Sequence, residues 1–236
     1  MSAEFLCDPL ELNCAHLKLG KIGRGRGSMV RLFRNKTPIQ LKTDVVKSVY
    51  GAQLNTFKKD KDEFYMDITS NNDNFCDAIS QIDSQIVSQI AQNLSLFDAS
   101  GWNEDEIRKE FFGIKRNSFG SGCTIRLQLP KNDLGQFDFH VFDKDKCEIS
   151  LDKDNVTTII GRDTVCKVIF ELDRVWFFQN RFGIVCKLRQ LKLEDAPKVI
   201  DYAIDDDDED CDTASSGCYS STSNDASTKE GYLFVD

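Results

Sequence analysis

Cys123-Thr124-Ile125-Arg126-Leu127-Gln128-Leu129-Pro130 alternates apolar and polar side chains along its length. In an extended chain this period of two puts Cys123, Ile125, Leu127 and Leu129 on one face and Thr124, Arg126 and Gln128 on the other. The segment therefore reads as a half-buried β-strand stopped by proline. Working outward, residues 39–50, 64–69, 136–142, 164–172, 175–179 and 184–193 carry similar short, β-rich patterns bounded by turn residues. Asp173-Arg174, between two of these, is short enough for a tight hairpin. One stretch departs from the pattern. Phe75, Ile79, Ile82, Ile86, Ile90 and Leu94 recur by threes and fours with Gln, Ser, Asp and Asn between them, which predicts one long amphipathic helix capped by Asn72 or Asp73. A second, shorter helix fits residues 103–111. The predicted class is mainly β with helices (α+β): six or seven short strands in a small barrel or sandwich, with the long helix packed across it.

Of the 236 residues, 30 are Lys or Arg and 39 are Asp or Glu, a formal charge of −9. That charge is unevenly placed. Residues 201–236 hold eleven carboxylates and one base, Lys229, for a local −10, which leaves residues 1–200 at +1. Within that body, residues 18–36 carry seven Lys/Arg and no carboxylate. The asymmetry points to a polyanion partner at one end and a repelling, competing or recruiting tail at the other. Three regions follow. Residues 1–35 form an N-terminal segment with a flexible Gly/Arg-rich arm, since Gly20-Lys21-Ile22-Gly23-Arg24-Gly25-Arg26-Gly27-Ser28 lacks apolar anchors. Residues 36–200 form the folded body, and 201–236 a disordered acidic tail. No apolar run approaches the roughly 20 residues that span a bilayer. With no secretory pattern at the start and nine cysteines, the expected setting is intracellular and reducing.

Enzyme chemistry has little to build on. His16 and His140 are the two histidines, and no nucleophile elbow, helical zinc-protease pair or phosphate loop occurs. The Gly/Arg run lacks the flanking strand and helix of a dinucleotide site. Cys7, Cys14 and His16 are close in sequence, but there is no Cys-x-x-Cys, so no metal site or cofactor is expected. The pairs Asp143/Asp145 and Asp152/Asp154 fail as calcium loops, because Glu148 stands where the first would need its central Gly. Asp138 and His140 read as a solvent-facing polar row.

Nucleic acid suits the pattern better, because strand faces that mix Lys/Arg with rings supply both charge neutralisation and stacking platforms. Arg174-Val175-Trp176-Phe177-Phe178-Gln179-Asn180-Arg181-Phe182-Gly183 places three successive rings on a strand, so at least one must leave the core. Downstream, Lys187 and Arg189 share a face opposite Ile184, Cys186 and Leu188. A second mixture is Phe57, Lys58 and Lys59 with Tyr65. The candidate nucleic-acid-binding residues are Lys42, Lys47, Phe57, Lys58, Lys59, Tyr65, Arg126, Trp176, Phe177, Arg181, Lys187 and Arg189. In the tail, Asp205, Asp206, Asp207 and Asp208 are candidates to compete with phosphates as a tethered polyanion, and Tyr232 and Phe234 to engage a partner.

The strand pair from Cys166 through Trp176-Phe177-Phe178-Gln179-Asn180-Arg181 to Leu191, followed by an acidic tail ending in aromatics, resembles the single-stranded DNA-binding proteins of nucleocytoplasmic large DNA viruses. Those proteins are similar in turn to the single-stranded DNA-binding proteins of short-tailed phages. The resemblance covers residues 38–193 and the tail. It implies an elaborated OB-fold barrel that coats single strands during replication, recombination and repair, commonly as a homodimer. The tail would recruit replisome proteins such as polymerase and helicase-primase, in the host nucleus or a cytoplasmic virus factory. Trp176, Phe177, Arg181, Lys187 and Arg189 match the family's motif. The Gly/Arg arm departs from it, as does the Ser/Thr-rich stretch between Glu209 and Phe234. From the residues alone, rival readings are an acidic-tail histone or basic-protein chaperone, an RNA-binding module using the arm, and a metal-dependent nuclease using Asp138 and Asp143. Coating of single strands predicts weak sequence preference and affinity that falls steeply with salt.

Overall fold

The computed structural model describes residues 5–7, 9, 17–25, 27–34, 37–55, 63–97, 99–116 and 122–194. Contacts divide the chain into Met1–Lys198 and Val199–Asp236, and the description concerns the first unit. The strand Cys123–Leu129 alternates buried and accessible residues as its sequence does. Its neighbours in chain order are β1 (Phe5–Cys7), β2 (Leu17–Gly25), β3 (Gly27–Arg34), β4 (Ile39–Lys42), β5 (Val46–Leu54), β6 (Phe64–Ser70), β7 (Phe111–Phe112), β8 (Lys115–Arg116), β9 (Cys123–Leu129 itself), β10 (His140–Phe142), β11 (Glu148–Ile149), β12 (Val165–Phe178) and β13 (Arg181–Leu193). All join one sheet, and the described residues also form three α-helices, α1 (Asp73–Gln92), α2 (Glu104–Glu110) and α3 (Val156–Ile159). The protein is mainly β with few helices among the described residues.

Five strands organise the sheet. β5 pairs with β6 and β6 with β9, both antiparallel, and β9 pairs with β13 in parallel. β13 returns antiparallel to β12, and β12 pairs antiparallel with β5, so the path of pairings comes back to its first strand. Inward residues of these strands, among them Met66, Ile68, Ile125, Leu127, Phe170, Leu172, Phe182 and Leu188, form one apolar cluster. Helix α1 buries Phe75, Ile79, Ile82, Ile86 and Ile90 in the same cluster, as its spacing predicts. Each such side chain contributes about 1.5–3 kcal/mol by leaving water. The Phe75 amide donates to Asn72 Oδ1 at 3.3 Å, which caps the helix. Helix α2 opens on a reciprocal capping box between Asn103 and Glu106.

Two expectations are corrected. Asp173-Arg174 is not a hairpin turn. Residues 165–178 run as a single strand in which Asp173 is a bulge, with Leu172 opposite Cys186 and Arg174 opposite Val185. The chain reverses instead at Gln179-Asn180, both with positive φ (49° and 59°), as a two-residue hairpin whose twist matches its strands requires. The Gly/Arg stretch is likewise not a free arm: β2 pairs with β3, and β3 lies beside β12 with Val30 opposite Val175 and Met29 opposite Trp176. Val30 and Leu32 are fully buried, and their tertiary packing outweighs the poor strand propensity of the neighbouring glycines. Two further strands are shorter than expected. Residues 39–50 break at 43–45 into β4 and β5, and in 136–142 the strand proper is β10.

Candidate nucleic-acid interface

The outward residues of β12 define a continuous face roughly 40 Å long at the usual rise of a strand. At its start, Lys47 stands opposite Val165, and Lys42 opposite Ile169. Both lysines are exposed and carry no ion pair among the described residues. Lys167 and Lys192 face each other across β12 and β13 and share Glu194, at 3.7 and 3.4 Å.

The middle of the face is a lattice of ion pairs on buried carboxylates. Register places Gln40, Glu171, Lys187, Gln128 and Tyr65 side by side across β4, β12, β13, β9 and β6. Glu171, 4% exposed, receives the Arg189 Nε hydrogen bond at 2.7 Å and lies 2.6 Å from Arg189 Nη2. Arg189 also reaches Asp138 at 3.4 Å. Asp173, 1% exposed, faces Lys187 at 3.0 Å, Arg174 at 3.3 Å and Arg31 at 3.9 Å. Asp67 takes two hydrogen bonds from Arg126, at 2.8 and 2.7 Å, and that guanidinium lies 4.4 Å from the centre of the Tyr65 ring. The hydrogen bonds to Asp67 raise the Arg126 pKa, whereas burial, then the charge of Arg126, lowers that of Arg116. Arg189 and Asp173 are the two bulge residues of the β12–β13 pair, so both of these charged side chains stand where the ladder is irregular.

The far end is aromatic. The Trp176 indole stacks on Phe112, with centroids 6.3 Å apart and planes at 20°. The guanidinium of Arg181 sits 5.5 Å from the centre of the Phe112 ring, and its contact with Glu110 is long, at 3.9 Å. Phe112 and Phe178 are 45% and 49% exposed, and Met29 beside Trp176 is 38% exposed. These are large apolar surfaces left in water next to a cation. Phe177 points the other way, against Phe182 at 4.5 Å and Trp102 at 6.0 Å. It supports the platform from below.

The sequence-predicted residues therefore separate into groups. Trp176 and Arg181 meet at the platform, Phe177 backs it, and Lys42 and Lys47 sit along the same face. Arg126, Lys187 and Arg189 lie on the face too, but each is engaged by a carboxylate, and Tyr65 lies under Arg126. Phe57, Lys58 and Lys59 lie outside the described residues, as do His16 and the tail candidates Asp205, Asp206, Asp207, Asp208, Tyr232 and Phe234. Phe112 escaped the sequence reading. Its signal was the Phe111-Phe112 doublet after a short amphipathic helix, since two adjacent rings on a strand cannot share one core. Of the residues considered for metal chemistry, Asp138 engages Arg189, Asp143 accepts the Cys147 amide at 2.8 Å, and His140 Nδ1 lies 2.6 Å from Glu148. Burial pushes the Cys123 and Cys166 thiols up to about 12 and raises Cys186 as well, which keeps these cysteines protonated.

No family model matches the chain, and no curated protein matches it in sequence. Among solved structures it is similar to the single-stranded DNA-binding protein of bacteriophage Enc34, at 10% identity and a TM-score of 0.46 over 79% of this chain and 94% of that one. The same phage protein in complex with ssDNA gives 12% identity and 0.45, over 77% and 98%. The gp2.5 single-stranded DNA-binding protein of bacteriophage T7 gives 12% identity and 0.46, over 78% of this chain and the whole of that one.

Proposed function

We propose that this chain is a non-enzymatic protein that coats single-stranded DNA without sequence preference, in the service of replication, recombination and repair. The observation that carries the reading is the Phe112–Trp176–Phe178 platform with Arg181 beside it, on the same sheet face as the exposed Lys42 and Lys47. Exposed rings stack on any base, because every base has a π-face, and each stacked base is worth about 1–3 kcal/mol. Duplex DNA keeps its bases stacked on one another, so such a platform selects unpaired strands. The order β5, β6, β9, β13, β12 and back to β5 fits the five-stranded barrel of an OB-fold, elaborated here by α1 and the β2–β3 hairpin. In this reading the segment 201–236 is a tethered polyanion that competes with DNA for the basic parts of the face. Tyr232 and Phe234, released when DNA binds, engage replication proteins such as a polymerase or helicase-primase. A homodimer, and a large DNA virus replicating in the host nucleus or a cytoplasmic factory, belong to the same proposal and rest on the sequence pattern.

The test is fluorescence anisotropy of a labelled oligo-dT, titrated with the full chain and with a chain ending at residue 200, at low and moderate salt. Single strand preferred over duplex, with tighter binding by the shorter chain, is the expected result. Preference for duplex, or no binding at low salt, overturns the reading. Equal affinity of the two chains removes the tail's competition alone.

A further inference from the structure

Asp83 projects from α1 toward the segment that joins β7 to β8. Its Oδ1 accepts the Ile114 amide at 2.8 Å and its Oδ2 the Lys115 amide at 3.0 Å. Gly113 is pressed against the carboxylate: a Cβ there would lie 2.5 Å from Asp83 Oδ2, so no other residue fits without moving the clasp. The strands on either side are two residues each. β7 is held beside β13 at Phe182 and Gly183, and β8 beside β9 at Ile125 and Thr124. Between them the backbone amides find a side chain where a sheet would offer carbonyls. Buried Ile114 is the one apolar anchor of this crossing. Burial raises the Asp83 pKa to about 6, against the pull of the two amides. Both carboxylate oxygens are committed to these amides.

What it holds is the platform. Phe112 precedes Gly113, nearly half its surface is in water, and its ring meets both Trp176 and Arg181. We propose that Asp83 is a positioning residue of the DNA-binding face, acting through the backbone of residues 113–115 to fix Phe112 against Trp176. The inference rests on the single-strand reading of that face for its effect on DNA, and on geometry alone for its effect on the rings. Asn at this position keeps one acceptor and turns an NH2 toward the other amide. Glu keeps both acceptors on a longer stem.

The experiment is a double-substitution cycle in the full chain, combining Asp83→Asn with Phe112→Ala and reading oligo-dT affinity well below the melting temperature of each variant. Asp83→Asn is expected to weaken binding three- to tenfold in the parent and to add nothing once Phe112 is gone, with Asp83→Glu restoring most of the loss. Losses that multiply in the double variant, or no loss on Asp83→Asn, overturn the proposal. The second readout is Trp176 emission in a Trp102→Phe background. Asp83→Asn should shift it as Phe112→Ala does, and the double variant should match Phe112→Ala. Should Asp83→Asn fail to fold, Asp83→Glu carries both readouts, and identity with the parent in affinity and emission then supports the clasp while an additive loss overturns it. Absence of oligo-dT binding by the parent defeats the functional reading, and the emission cycle still decides the clasp.

Discussion

An Asp173→Asn variant should lose about 3–5 kcal/mol of folding stability, the usual consequence of removing one partner from a buried ion pair. Asp173 is 1% exposed and faces three cations, Lys187, Arg174 and Arg31, within 4 Å. Asparagine keeps the shape and removes the charge, which leaves three positive groups around one another at the centre of the sheet face. Total stabilities are typically about 5–15 kcal/mol, so the midpoint of urea unfolding should fall far while its slope stays constant. A loss below about 1 kcal/mol would mean that these are ordinary screened surface bridges. In the proposed binding of single strands, the same lattice decides how DNA charge is read. Drawing Arg189 onto a phosphate strands Glu171, and drawing Arg126 strands Asp67, a larger penalty than one phosphate contact returns. The steep salt dependence expected from the sequence therefore has to come from the cations outside the lattice. A paired Asp67→Asn/Arg126→Gln substitution should leave the slope of log affinity against log salt unchanged, whereas each lost phosphate contact would lower it by about 0.7 for a single strand. A drop of that size in the paired variant would identify Arg126 as a phosphate ligand.

The sequence reading succeeded where one periodic pattern met one environment. β9 alternates against a core on one side, and α1 presents Ile79, Ile82, Ile86 and Ile90 at helical spacing, so local pattern and tertiary burial agree. Lys187 and Arg189 lie opposite buried Ile184, Cys186 and Leu188 as their spacing requires. The misreadings share a cause in cross-strand register. Asp173 looks like a turn former because a bulge favours the same polar, non-strand residue that a turn does, and the distinction depends on what Cys186 and Val185 do on the partner strand. The β2–β3 hairpin was hidden by glycine, although Val30 and Leu32 hold it to the core. The engagement of Arg126, Lys187 and Arg189 could not be read at all. Asp67 is far from Arg126 in sequence, and Glu171 and Asp173 meet their cations through pairings that neither strand's sequence specifies alone. A basic strand face in a sequence is thus a list of cations, and which of them are available to a ligand is a property of the sheet.

Gly183→Ala should weaken oligo-dT binding by about one to two powers of ten while changing folding stability by less than about 1 kcal/mol, because its effect falls on a ring and not on the backbone. Gly183 lies opposite Trp176 in the β12–β13 ladder, and a Cβ built on it comes within 2.8 Å of three indole atoms. Its φ is ordinary for a strand, so alanine strains nothing locally. The methyl instead occupies the seat on which the indole lies flat, and Trp176 must tilt away from Phe112. Stacking across that pair and its display beside Arg181 are lost together, whereas Trp102 beneath keeps its edge-to-face packing on Phe177 and Phe182, and those two rings keep their tilted contact. Trp176→Ala supplies the comparison: it deletes the platform without adding volume and should weaken binding to the same degree. In the combined variant alanine at 183 has no indole left to displace, so its own effect should vanish. A Gly183→Ala protein that binds oligo-dT as tightly as the parent would place the stacking surface elsewhere on the sheet, and the match between a side-chain-free position and the ring above it would then be packing alone.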